Sequence, residues 1–193
     1  MRPDLEPRTA AGRAALAEAE LSPAGRELVA LALRTIDAID RELVPLDRAL
    51  RSFARRQPGC RALIARLYGV GPVSATAILA ELGDARRFSS SDDAVRHAGL
   101  DVTVHQSDSK RAPGHLSHQG PEVLRWALFE AALSGAHVGS PDHGYYLQVA
   151  ERLDHTRACL SLARKLCRRA YHILRELGDE ALAPVEEAIA AAA

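Results

Sequence analysis

From Ser22 onward, apolar residues recur at steps that alternate between three and four: Val29, Ala32, Ile36, Ile39, Leu43, Leu46, Leu50 and Phe53. Such a series falls on one side of an α-helix, so the stretch predicts a long helix with a narrow apolar seam flanked by Arg, Asp and Glu. Ser22 is suited to cap it. Pro23 suits its first turn, where a missing N–H costs nothing. Pro45 falls inside the run and removes a backbone donor, which predicts a kink or break there. The seam lasts about three and a half heptads, and two partners satisfy it: another helix of the same chain, or a second molecule in a coiled coil.

The chain has 193 residues and is 47% hydrophobic but only 4% aromatic, so its core must be built from Ala, Leu, Val and Ile. A chain of this size buries about 70% of the surface its unfolded form exposes, which suffices for one domain plus an appendage and excludes two large independent domains. The pattern predicts an all-α fold in four stretches. These are a flexible N-terminus over 1–21, a helical stalk over 22–56, a compact helical domain over 57–178, and an acidic, Ala-rich tail over 179–193. The opening "MRPDLEPRTAAGR" is polar and no apolar run approaches the ~20 residues of a membrane span, so a cytoplasmic chain with no membrane partner is expected. Cys60, Cys159 and Cys167 are odd in number and lack a C-x-x-C pair. Buried reduced thiols are expected, and with no ligand spacing among the His and Cys, neither a metal nor a cofactor is expected in this chain.

A domain boundary is expected near Pro58. The helix "CRALIARL" then stops at Gly69, "GVGP" turns, and "VSATAILAEL" runs to Gly83, a left-handed stop. Glycines let a ligand approach the backbone, and the N–H groups opening the second helix can receive an anion. The spacing over residues 60–83 therefore suits either a plain αα-hairpin or a helix-hairpin-helix that grips a DNA phosphate without reading bases. Gly69, Val70, Gly71 and Ser74 are its candidate DNA contacts.

Further on, "RRFSSSDDAVRHAGL" predicts a short helix capped by Ser90 or Ser91, and Val102 and Val104 suggest one short strand or extended segment. The polar run that follows is a long loop for a helical protein, and loops of that kind tend to be functional. Pro121 opens another helix, a further one spans about Tyr145 to Leu153, and a last long one runs from about His155 to Leu177. Its buried stripe is Cys159, Leu162, Leu166, Ala170, Ile173 and Leu177. Arg157, Ser161, Arg164, Arg168, His172 and Arg175 line another face.

The formal net charge is zero, with 25 basic and 25 acidic residues, yet 157–175 contains Arg157, Arg164, Lys165, Arg168, Arg169 and Arg175 and no Asp or Glu. Such a stripe is either a solvated face or a set of charges left free for phosphates. Arg157, Arg164, Lys165 and Arg168 are candidate DNA contacts on that ground.

Taken in order, "GVGPVSATAILAELGDARRFSSSDDAVRHAGL", "QSDSKRAPGHLSHQG", "LRWALFEAAL" and "LARKLCRRAYHIL" resemble the C-terminal part of the insertion-sequence one-ten class of bacterial transposases. This class, also called the one-sixteen and nine-oh-two group, is related to the pilin-gene inverting recombinases. The resemblance covers about residues 57–177. It implies a DNA partner, for many members a guide RNA, and a full-length architecture of a RuvC-like nuclease domain with an acidic tetrad, a coiled-coil linker and this helical domain.

The resemblance also implies a loop serine that becomes joined to the DNA end. Ser107 holds that position, with Ser109 the alternative. Attack by a seryl hydroxyl needs its proton removed and the developing charge neutralised. Lys110 and Arg111 are placed to supply charge, and His105 and His115 to handle protons, with His115 and Arg125 as further DNA contacts. Two departures stand out: Asp108 follows Ser107 where the family usually has glycine, and "LSHQGPEVLRW" keeps only Arg125 firmly basic. No strand-rich region or acidic tetrad precedes Ser22, and magnesium chemistry needs such carboxylates. The sequence therefore reads as a truncated transposase, with magnesium expected only alongside the nuclease domain. An alternative class is a non-catalytic oligomerisation or regulatory protein that pairs, through the stalk, with itself or with a full-length transposase.

Overall fold

A computed structural model describes residues 6–103, 106–107, 110–111, 115–117 and 119–185. The chain divides between Ala49 and Leu50 into two units. In the first, Thr9 caps helix α1 (Ala10–Glu18), its hydroxyl accepting from the Gly12 N–H at 3.0 Å. Residues 1–21, expected to be flexible, thus contain a helix, held by ion pairs from Arg8 to Asp40 and from Arg13 to Asp37 of α2 (Pro23–Arg56). Ser22 caps α2 as expected, accepting from the Gly25 N–H at 3.2 Å.

Helix α2 runs through Pro45 without the expected break. Residues 41–49 are all exposed. Water can therefore meet the Arg41 carbonyl that Pro45 leaves without its N–H donor, which weakens the reason to break. The last turns of α2 belong to the second unit, where Phe53 and Ala54 pack with its core. The change of composition near Pro58 consequently lies inside that unit.

The second unit continues with α3 (Pro58–Arg66), α4 (Pro72–Leu82), a 3₁₀ turn (Ala85–Arg87), α5 (Ser91–His97), α6 (Glu122–Gly135), α7 (His143–Ala150), α8 (His155–Leu177) and a 3₁₀ turn (Gly178–Leu182). Helix α8 lies at the centre and packs against α3, α5, α6 and α7. All of its predicted stripe but Leu177 is buried, and Leu177 packs on the edge of the core. The ends of α8 follow from local chemistry. The Asp154 carboxylate accepts from the Arg157 N–H at 2.8 Å, and Gly178 stops the helix at φ 57°. The three cysteines are buried free thiols, and burial pushes Cys167 up to about 12.

The architecture is helical, but the segment expected to be a loop carries four two-residue strands. β1 (Val102–Thr103) pairs antiparallel with β4 (His115–Leu116), and β2 (Gln106–Ser107) with β3 (Lys110–Arg111). Ladders this short hold a local shape without forming a sheet of their own.

Candidate nucleic-acid interface

The turn between α3 and α4 is built from two glycines with different work. Gly69 sits at φ 80°, and a Cβ there would lie 2.6 Å from the Ala131 carbonyl oxygen and 2.7 Å from the Ser134 Cβ of α6. It is required by backbone shape and by the close approach of α6. Val70 is buried and fixes the turn onto the core. At Gly71, the residue that begins α4, an added Cβ would meet nothing within 4 Å. No side chain caps this helix start, and its first turn holds no acidic residue. Half-buried Ser74 lies in that turn. Of the four candidates, Gly71 borders open space and Ser74 is half-buried, while Gly69 and Val70 shape the turn against the core.

The basic stripe of α8 is not free of carboxylates, as the sequence suggested, because other elements supply them. Arg157 pairs with Asp154 at 3.4 Å, Arg168 Nε donates to Asp92 Oδ1 at 2.8 Å, and Lys165 and Arg169 share the two oxygens of Asp142 at 3.0 and 2.6 Å. Lys165 also lies 4.3 Å from the Tyr145 ring centre. The Asp142 side chain is 3% exposed. Burial by itself raises its pKa, but the hydrogen bonds from Arg169 and Lys165 outweigh that and leave it below the ordinary carboxylate range. Arg164 differs: its Nε donates to the Leu100 carbonyl at 2.5 Å, and among the described residues no carboxylate is hydrogen-bonded to it. Burial lowers its pKa.

Arg164 therefore holds the place where the strand-bearing excursion leaves the helical body. Ser117 donates its hydroxyl to the Asp101 carboxylate, and the Ser117 N–H meets the Asp101 carbonyl at 3.1 Å. Arg125 Nη1 donates to the carbonyls of Gly120 at 2.7 Å and Ala98 at 3.4 Å, so this candidate DNA contact is engaged in tying the same root. Along the excursion, Ser107 stands in register opposite Lys110, Arg111 opposite Gln106, and His115 opposite Thr103. Ser109 and His105 lie outside the described residues.

Residues 61–147 match the family model for transposases of the IS116/IS110/IS902 family. That match covers somewhat under half of the chain. It is 29% identical over 140 residues to an uncharacterised 44.8 kDa protein of insertion element IS116 from Streptomyces clavuligerus, covering 72% of this chain and 35% of that one. A family 20 transposase of Pseudomonas aeruginosa is 30% identical over 100 residues, covering 52% and 28%. The chain spans about a third of the length of these relatives.

Within this transposase-family segment, sequence reasoning missed Asp92, Arg96, Asp101 and Asp142. Asp142 had one readable signal, since a carboxylate in "GSPDHG" precedes a helix whose neighbour carries Lys and Arg. The others became visible only when α5 was laid beside α8.

Proposed function

We propose that the second unit is the DNA-binding and strand-joining part of a transposase, with Ser107 as nucleophile. The register of Ser107 opposite Lys110, inside the family-matched segment, carries this reading. In the step proposed, the Ser107 hydroxyl gives up its proton and its oxygen attacks a DNA phosphorus. The bond from phosphorus to the departing strand's oxygen breaks, that oxygen takes up a proton, and a phosphoseryl diester remains. Lys110 and Arg111 neutralise the developing charge, and His115 or His105 handles the proton. The open start of α4 at Gly71 and Ser74 holds the strand by its backbone. Arg157 and Arg168 contribute through exposed, exchangeable ion pairs, and Lys165 contributes its charge from its pairing with Asp142.

Among the described residues, no three His, Cys, Asp or Glu side chains are grouped to hold a metal. These residues do not fit the magnesium site that the family resemblance implies, so we assign that chemistry to carboxylates outside them. The proposed partners are DNA, a guide RNA, and a second copy or a full-length transposase joined through α2. Among the described residues, no helix is long and apolar enough to cross a membrane.

A duplex carrying a nicked end, incubated with the full chain and a full-length transposase, tests the chemistry. A denaturation-resistant protein–DNA adduct is expected that disappears in Ser107→Ala and survives in Ser109→Ala. An adduct surviving Ser107→Ala overturns the assignment. One observation favours a second reading, a non-catalytic protein that pairs with a full-length transposase: Leu28, Leu31, Ile39, Leu43, Val44 and Leu46 of α2 are all exposed. Absence of any adduct, together with Leu43-dependent association with the full-length protein, selects that reading.

A further inference from the structure

Beside the root of the excursion lies an open cleft of about 400 Å³, lined by Asp92, Val95 and Arg96 of α5, by Asp101, and by Arg164 and Arg168 of α8. Its charges are unequally committed. Arg96 is paired with Asp93 at 2.6 Å, and the Asp101 carboxylate accepts from Ser117. Among the described residues Arg164 donates only through Nε, to the Leu100 carbonyl, and its side chain lines the cleft. Arg168 is bound to Asp92, whose side chain is 67% exposed. An ion pair so exposed contributes little, so a stronger anion can displace it.

A half-buried guanidinium that has Asp101 nearby but, among the described residues, no carboxylate hydrogen-bonded to it, beside a second one held by an exchangeable carboxylate, suits a tetrahedral dianion or diester that accepts two forked donors. Asp101 is six positions before Ser107, so the two Cα atoms lie within about 22 Å of one another. Along one DNA strand, that reach corresponds to about six nucleotides at ~3.4 Å each.

We propose that this cleft is a phosphate subsite, taking one phosphodiester of the DNA strand a few nucleotides from Ser107, with Asp92 occupying Arg168 until the phosphate replaces it. The proposal rests on the DNA-joining reading given above. It adds Arg96 as the cleft's third, outer cation and makes Asp92 a competitor for the ligand.

Two titrations of the full chain separate the inference from the reading beneath it. In the first, inorganic phosphate is added while the arginine Nε–Hε signals are followed by NMR. The Arg164 and Arg168 signals are expected to shift together, and unmoved signals overturn the subsite. In the second, binding of short duplex DNA is measured across a salt series. Arg168→Gln is expected to lower the slope of log K against log salt by about 0.9, the share of one phosphate. Asp92→Asn is expected to tighten binding by about two- to fivefold, the worth of an exposed pair.

Arg164→Gln should act like Arg168→Gln if it folds. Arg168 is exposed enough to carry the test if it does not. Steep salt-dependent binding that neither Arg168→Gln nor Asp92→Asn alters overturns the subsite and leaves the DNA-joining reading standing. Failure of the unaltered chain to bind DNA overturns that reading, and the phosphate titration then decides the cleft alone. Tighter binding to duplex RNA than to DNA, with the same variant losses, overturns DNA as the source of the phosphate.

Discussion

Helices α2 and α8 are the two long amphipathic helices of the chain, and their sequences are equally periodic. Their environments are opposite. In α8, Leu162, Leu166 and Ala170 are fully or almost fully buried by α3, α5, α6 and α7. In α2, Leu43 and Leu46 of the seam are 46% and 64% exposed, and Leu28 is 67% exposed. A 3.6-residue period states which face resists water; it does not state what covers that face. The charged faces are alike in drawing partners from outside the helix: Asp92 and Asp142 meet cations of α8, and Arg13 and Arg8 meet Asp37 and Asp40 of α2.

The contrast is tested most forcefully in the core. Leu162→Ala should lower unfolding free energy by about 2–5 kcal/mol, the sum of lost transfer and residual cavity, read from urea denaturation. A loss below about 1 kcal/mol would show that α8 is less essential to the core than its burial implies. Next is Asp142→Ala, which strands Lys165 and Arg169 and should lose about 1–3 kcal/mol.

That effect carries a pH signature. The folded carboxyl is depressed, so its contribution is fully present above the unfolded value of about 3.9 and is lost as pH falls through the folded one. The stability gap between the unaltered chain and Asp142→Asn should therefore be constant above about pH 5 and shrink below about pH 4. A gap independent of pH would refute the pairing.

A smaller effect separates the turn glycines. Gly69→Ala should cost about 1–3 kcal/mol through positive φ and the Ala131 carbonyl. Gly71→Ala should cost less than about 1 kcal/mol, while weakening DNA binding. Equal costs at the two sites would erase the distinction. The smallest effect on folding is expected on α2: Leu43→Asp should change stability by no more than about 0.5 kcal/mol, yet abolish the association proposed through α2, read by sedimentation. A folding loss as large as that of Leu162→Ala would mean that the chain itself covers the seam.

Much of the helical body was legible because its signals are local. Asp154 and Gly178 delimit α8, Ser90 caps α5 by accepting from the Asp93 N–H, and Gly83 ends α4 at φ 56°. The seam of α2 was legible too, and of the kink or break expected at Pro45 the break is absent, since solvent can relieve the carbonyl that Pro45 strands. What stayed hidden depends on distant neighbours. Nothing near Arg168 in sequence announces Asp92, and nothing near Arg125 announces the Ala98 carbonyl. The roles proposed for Ser107 and Lys110 came from resemblance to a family, and their register came from ladders too short to have a periodicity.

The clasp between Asp101 and Ser117 has a consequence for how such a protein can diversify. Because β1 and β4, Arg164 and Arg125 fasten both ends of the segment beside the helical body, the entropy of closing it is met at its neck. Doubling the enclosed length adds only about 0.6 kcal/mol. With the neck held in this way, a change in the length of chain between β1 and β4 leaves the scaffold on either side of it folded.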